Sequence, residues 1–493
     1  MKGKSVIFIE PRNGSGNVFE NYMRLPLLGT LYLGTILHEQ GYHVRILNEN
    51  ILGKDVDPFE LRADVFCITS LTVSANRAAF LARQLKSIYP QALLLIGGIH
   101  ASLVPEDFAD VADHVVIGEA EDNIVDLVEG RYEERIVKGG WVQDLERLPL
   151  INYSLLEGYE TLDIVPIMTS RGCPFNCHFC TVTKIFGRHF RMVSPQRVLQ
   201  EIENAQAYFS SPDFFFYDDN FTVNRRRIRE LCNLIIERRL GITWAAQVRT
   251  DLAKQPQTVE LMVKAGCRWL YVGFESIDDD TLAAMNKSQT RGDIERAIHT
   301  FHAAGMNIHG MFMFGEDHDT LDSIDRTVAF AREHRIDTVQ FMIMTPFPGT
   351  ECYDKIVAEG RLFHRNWDYY NGMFIVFQPK QMNPAKLQSG VLQAYRSFYS
   401  LRRTAFDGLK LLGNVTLDAT VWNFNAAQKY KFDVILMRAG AKTIVGKCAP
   451  VFEHYQSFLA RAEQPTADGA PVPAVTPSPA AAAFLGTAGD ASC

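Results

Sequence analysis

Three cysteines fall within eight positions of the segment RGCPFNCHFC: Cys173, Cys177 and Cys180. Three thiolates spaced so closely can serve a single metal centre. A zinc ion there would need a fourth ligand, which His178 or His189 could supply. An iron–sulfur cubane normally takes four cysteines, so three would leave one iron open to chemistry. A chance cluster is the third reading. No second paired motif follows downstream, as a structural zinc site would favour. Cys67, Cys232, Cys267 and Cys352 sit among apolar neighbours and read as buried thiols. An odd total of nine cysteines does not form a disulfide framework.

The elements around this cluster are legible as two βα series. In the first, KSVIFIE, HVRILNE, DVFCITS, ALLLIGG and HVVIGEA read as strands. LLGTLYLGTILHEQG, closed by Gly41, and NRAAFLARQLKSIYP read as helices. Continuous apolar strands alternating with helices predict a parallel sheet covered on both faces, in a Rossmann-like (flavodoxin-like) α/β domain. Ligands bind such sheets beyond the carboxyl ends of the strands. Those ends carry Ser70, Thr72, Gly97, Gly98, His100, Ser102, Gly118 and Glu119. Glycine lets backbone approach a ligand and a hydroxyl can grip a nucleotide-like tail, although any βα turn uses the same residues. A nicotinamide site is the rival: NGSGNVF follows the first strand and Glu49 ends the second. No third glycine completes its fingerprint.

The second series begins near Ile164. IVPIMTS runs straight into the cysteines, and PDFFFYDDN, TWAAQVR, WLYVGFES, NIHGMFMFG and TVQFMIMTP follow as strands. Six βα units predict a partial (β/α)6 barrel with its active site at the carboxyl ends of the strands. The expected organisation is a domain over 1–135, a linker over 136–160, the barrel over 161–378, a helical region over 379–462 and a disordered Pro/Ala-rich tail over 463–493.

CPFNCHFC opening a six-unit βα series resembles the radical S-adenosylmethionine (SAM) superfamily. That resemblance implies a [4Fe–4S] cluster on Cys173, Cys177 and Cys180 whose open iron is chelated by SAM, and a 5′-deoxyadenosyl radical made by reductive cleavage. It implies an electron donor such as flavodoxin or ferredoxin. Phe179 matches the aromatic position near the adenine. Asp218 and Asp219 replace the family's usual Gly-Gly-Glu, and either carboxylate could accept from the SAM ammonium. Asp219 could instead cap the following helix. Arg249 is suited to the methionine carboxylate, and Glu275 and Ser276 stand where the family contacts SAM. The first domain resembles the cobalamin-binding domains that precede many such barrels, through LPLLGTLYLGTILHEQGYHVRILN, GGIHASLVPE and VVIGEAED. No Asp-x-His-x-x-Gly motif supplies a histidine to cobalt. His100 is then a nucleotide-loop contact or a polar turn residue. The implied reaction is methylation of an unactivated carbon, with oxidative cyclisation or carbon–carbon coupling as the alternative. A zinc-stabilised binding protein without enzymatic activity is the reading from a different class.

Composition adds bounds. With 47% hydrophobic and 22% charged residues and a net charge of −7, the chain reads as globular and gives no signal for nucleic acid. The short apolar run of MKGKSVIFIEP reads as a first strand, not a signal peptide, and no window is long enough to span a bilayer. A cytoplasmic location follows as an expectation. Between Lys380 and Lys447, eleven Lys or Arg stand against three Asp. There Tyr395, Phe398, Tyr399, Phe406, Leu409 and Leu412 interleave with Arg396, Arg402, Arg403 and Lys410. Such a segment can lie on an anionic membrane. Packing on the barrel is the plainer alternative and is preferred. The expected substrate is a small apolar molecule such as a lipid, terpenoid or tetrapyrrole.

Overall fold

The computed structural model describes residues 3–15, 24–210 and 212–400, with individual positions between 434 and 459. The strands are β1 (Ser5–Glu10), β2 (His43–Asn48), β3 (Val65–Thr69), β4 (Leu93–Gly97), β5 (His114–Ile117) and β6 (Ile136–Lys138) in the first sheet. This sheet is parallel, in the order β2-β1-β3-β4-β5-β6. The apolar runs explain it: Val6 to Ile9, Val65 to Ile68 and Leu94 to Ile96 are all buried. Five of the strands fall where the sequence places them. The sixth lies inside the stretch expected to be a linker, so the first domain extends past residue 135. With three residues and only Val137 buried, β6 carries too little pattern to be read from sequence.

The second sheet consists of β7 (Ile164–Ile167), β10 (Asp213–Phe216), β11 (Thr243–Val248), β12 (Cys267–Glu275), β13 (Asn307–Phe314) and β14 (Thr338–Ile343). Each strand lies parallel beside its predecessor, giving the expected six-stranded partial barrel. Between β7 and β10 a short antiparallel pair, β8 (Ser170–Arg171) and β9 (Arg191–Met192), closes the neck of the loop that carries the three cysteines.

The helix Pro384–Phe398 packs along the free edge of β14. Tyr395 and Tyr399 hydroxyls accept the outward N–H groups of Phe341 and Val339 at 2.9 and 2.8 Å, and Tyr399 donates to Val339 O at 2.7 Å. Two phenols thus satisfy an edge that would otherwise expose unpaired backbone. Tyr395, Phe398 and Tyr399 are therefore buried against the barrel and not offered to a membrane. Arg402, Arg403, Phe406, Leu409, Lys410, Leu412 and the tail over 463–493 lie outside the described residues. Among the described residues no helix is long and apolar enough to cross a membrane.

Candidate active site

The ends of β7, β10, β11 and β12 converge on one mouth, and the cysteine loop lies over it. Cys173, Cys177 and Cys180 are half-buried and free. Burial pushes the Cys173 and Cys180 thiols up, the latter to about 12, and the charge of Asp219 adds to this. Thiolates persist there only with a compensating cation. Among the described residues no three His, Cys, Asp or Glu side chains converge on one ion. The two histidines that a zinc site would call on are placed differently. His178 turns to Glu316, with Nε2 3.3 Å from Oε2, and His189 is exposed.

The two aspartates after β10 differ sharply. Asp218 is buried and accepts from Thr169 N at 2.7 Å, Ser170 N at 2.9 Å and the Thr169 hydroxyl. It is a latch on the segment that leads into the cysteine loop. Asp219 opens into a cavity between the two domains. Enclosing protein, and then Asp218, raise its carboxyl to about 7. It caps nothing, because the next helix, Arg225–Glu237, is capped by Asn224. Asp219 is thus the carboxylate of the pair that is free to meet a ligand.

Arg249 is less free than its sequence position suggests. Its guanidinium lies 3.8 Å from the Phe175 ring centroid, donates from Nη2 to Lys287 O and places Nη1 4.0 Å from Cys177 Sγ. It braces the cysteine loop. Glu275 has a left-handed backbone, φ 61°, and pairs with Lys287 Nζ at 2.7 Å. The Ser276 hydroxyl accepts from Asp278 N at 3.1 Å, a local turn contact. Phe179 packs against the core, edge-on to His178.

The interdomain cavity has a volume of about 350 Å³. Gly97, Gly98, Ser102, Gly118 and Glu119 line it from the first domain. Met168, Tyr217, Asp218, Asp219 and Gln247 line it from the barrel. Much of its lining is apolar, including Phe8, Leu28, Leu33, Ile68 and Leu127. Gly98 needs its positive φ of 96°, and a Cβ there would come within 2.7 Å of Ser70 O. The Ser102 hydroxyl donates to Gly98 O and accepts from Gly118 N, tying the two glycine turns together.

Three expected contacts are not in this cavity. The Ser70 hydroxyl donates to Leu71 O. Thr72 meets His100 at 3.4 Å, and His100 is wholly buried, 3.1 Å from Asp107 and stacked edge-on with Trp367. His100 is enclosed behind β4, away from this cavity. Glu119 does reach the cavity, but its carboxylate is engaged by Arg191, Arg171 and Val142 N. The nicotinamide reading fails on Glu49, which is saturated by Arg77, Arg12 N and Val56 N. Asn13 and Ser15 dock on the far segment, where the Ser15 hydroxyl donates to Asp368 O. Residues 16–19 of that stretch lie outside the described residues.

The description "B12 binding domain" matches residues 16–128, and "Radical SAM superfamily" matches 167–353. The bacteriochlorophyllide d C-8(2)-methyltransferase of Chlorobaculum tepidum is 30% identical over 404 residues, covering 78% of this chain and 88% of that one. The chain belongs to the radical SAM superfamily. The anaerobic magnesium-protoporphyrin IX monomethyl ester cyclase of Cereibacter sphaeroides is 28% identical over 69% of this chain and 60% of its own length. The solved structure of the radical SAM methyltransferase TsrM from Kitasatospora setae, with cobalamin and a [4Fe–4S] cluster, shares the fold at a TM-score of 0.65 and 14% identity. It covers 91% of this chain and 99% of that one. The site of this radical SAM protein fits such groups: three free thiols on one loop for a cubane, and a largely apolar slot rimmed by glycines for a corrinoid.

Sequence reasoning missed Lys287, Thr169, Tyr217, Arg171 and Arg191. Tyr217 alone carried a signal, as an aromatic residue immediately before the aspartate pair at a strand end.

Proposed function

We propose that this chain is a cobalamin-dependent radical SAM methyltransferase acting on an unactivated carbon of a tetrapyrrole-class substrate. The observation that carries the reading is the shared cavity: the glycine rim of the B12 domain and the barrel's strand ends face one chamber. A [4Fe–4S] cluster on the three cysteines would supply the electron that cleaves SAM, and cobalamin in the chamber would carry the methyl group. Cys173, Cys177 and Cys180 hold the cluster, and Asp219 and Glu275 present carboxylates to SAM. Asp218, Thr169 and Arg249 keep the loop in place. Gly97, Gly98, Ser102 and Gly118 allow the corrinoid to lie close to backbone.

Substrate class is supported by the sheet's inner face. Tyr271, Met311 and Met342 are partly exposed at positions whose neighbours are buried, so they face the lumen. Such a surface suits a flat apolar ligand. Bacteriochlorophyllide and magnesium-protoporphyrin, which appear in the relatives' names, are flat tetrapyrroles.

Anaerobic reconstitution with iron, sulfide and hydroxocobalamin tests the reading. The expected result is one cobalamin per chain and transfer of label from methyl-labelled SAM to a porphyrin-type acceptor. Full cluster content without bound cobalamin would instead favour oxidative cyclisation, the reading that the cyclase similarity supports.

A further inference from the structure

The loop that carries the cysteines has a second limb. After Cys180 the chain returns over residues 181–190 to the neck strand Arg191–Met192. This return limb lies against the start of the loop. A Cβ on Gly172, whose φ is 87°, would come within 2.6 Å of His189 O and 3.1 Å of Gly187 O. Arg188 Nη2 donates to Pro174 O at 3.4 Å, one residue after Cys173. Pro174, Arg188 and His189 are exposed, so a single layer of chain separates the first cysteine from solvent on this side.

The surface there is basic and carries two exposed apolar side chains. Trp141 is 46% exposed, yet its ring is fixed: Nε1 donates to Ile185 O at 2.9 Å, and a Cβ on Gly187 would meet the ring at 3.0 Å. On the other flank Met192 is 40% exposed, with its sulfur 3.5 Å from Asn224 Nδ2, the cap of the helix Arg225–Glu237. Lys184 and Arg188 on the limb are exposed, as are Arg226 and Arg229 on the first turns of that helix. Their neighbours Arg171 and Arg225 are paired, with Glu121 and Asp251. No ion pair among the described residues takes up the other four. In a chain of net charge −7, this positive face runs against the overall balance.

We infer that this face docks an acidic one-electron carrier protein that reduces the cluster. The inference rests on the functional reading above, in which each reductive cleavage of SAM takes up one electron. One electron passes from the reduced carrier to the cluster, and no bond forms or breaks at the interface. The inner side of the loop faces the barrel mouth and the cavity shared with the first domain, which leaves the back of the loop as the approach for a macromolecule. Exposed, unpaired cations steer an oppositely charged partner from a distance. An aromatic ring already held in place adds contact area at little cost in side-chain entropy.

The test measures binding of an oxidised flavodoxin, with which no turnover occurs, to the reconstituted full chain by anaerobic titration calorimetry, with iron content recorded for every variant. Arg226→Glu with Arg229→Glu, both off the loop, should weaken binding about tenfold or more at unchanged iron content. Lys184→Glu, on the limb itself, should weaken it in the same direction. Lys54→Glu with Arg83→Glu changes net charge equally on exposed positions of the first domain, and its affinity should stay within about twofold of the parent. Raising salt from about 50 to 300 mM should weaken the parent several-fold and the helix variant little. SAM cleavage driven by dithionite should be the same in parent and helix variant, whereas cleavage driven by sub-saturating reduced flavodoxin should fall in the variant. Affinity unchanged in the helix variant, an equal loss in the first-domain variant, or failure of the parent to bind either the flavodoxin or an acidic ferredoxin overturns the inference. Failure of the reconstituted parent to cleave SAM with dithionite would sink the functional reading instead.

Discussion

Arg191 grips Glu119 with both prongs: Nη2 lies 2.6 Å from Oε1 and Nη1 lies 2.8 Å from Oε2. Arg191 is in the neck pair of the cysteine loop, and Glu119 ends a turn of the B12 domain. Arg171, the other neck residue, meets Glu119 at 3.2 Å and Glu121 at 2.6 Å. The cluster loop is therefore bolted to the neighbouring domain by buried charges. Glu119→Gln leaves two buried guanidiniums under-paired and should cost about 3–5 kcal/mol of stability. Urea unfolding and iron content after reconstitution check it, and both should fall.

Cys173→Ala, Cys177→Ala and Cys180→Ala should each lose most of the iron that the parent retains, as read by iron and sulfide analysis. Cys232 is the contrasting case. It is fully buried, and burial pushes its thiol up to about 12. Cys232→Ser should keep the iron while losing about 1–3 kcal/mol, the cost of an unpaired hydroxyl in the core. Equal iron loss in all four variants would contradict the assignment.

Glu10, at the end of β1, is 3% exposed, and burial raises its carboxyl from 4.5 to about 7. Between those values the folded chain holds a proton that the unfolded chain has released. Stability from this group is therefore greatest below pH 4.5, declines up to about pH 7 and is flat beyond. Glu10→Gln removes the decline. Relative to the parent, its gain in unfolding free energy, from urea titrations, should be small at pH 5 and larger at pH 8, reaching up to roughly 3 kcal/mol. A gain that is the same at both values refutes the assignment.

Tyr399→Phe removes both the acceptor of Val339 N–H and the donor to Val339 O. The expected loss is about 1–3 kcal/mol in thermal or urea unfolding, with iron and cobalamin binding per folded chain unchanged.

The longer strands and the two sheets could be read because each rests on local pattern. β1 and β3 are apolar runs, and the thiols are close in sequence. What could not be read depends on distant partners. His100 looked like a ligand contact, but Gly98 turns the chain so that His100 meets Asp107, which in turn accepts from Trp367, 260 residues further on. Glu119 looked like a corrinoid contact until Arg191, 72 residues away, claimed it. Asp218 and Asp219 are adjacent and chemically identical in sequence, and the hydrogen bonds from Thr169 and Ser170 distinguish their roles. Lys287 sits twelve residues after its partner, on a turn whose left-handed backbone uses asparagine and serine where glycine would have signalled it.

The phenols along β14 have a consequence for how this protein would fail. A neighbouring chain can add a strand to that edge only by displacing both Tyr395 and Tyr399 from Val339 and Phe341. A chain ending before the helix Pro384–Phe398 would keep every residue of the chemical site and expose a bare parallel edge. Its defect would be self-association by strand pairing, with concentration as the variable that controls it.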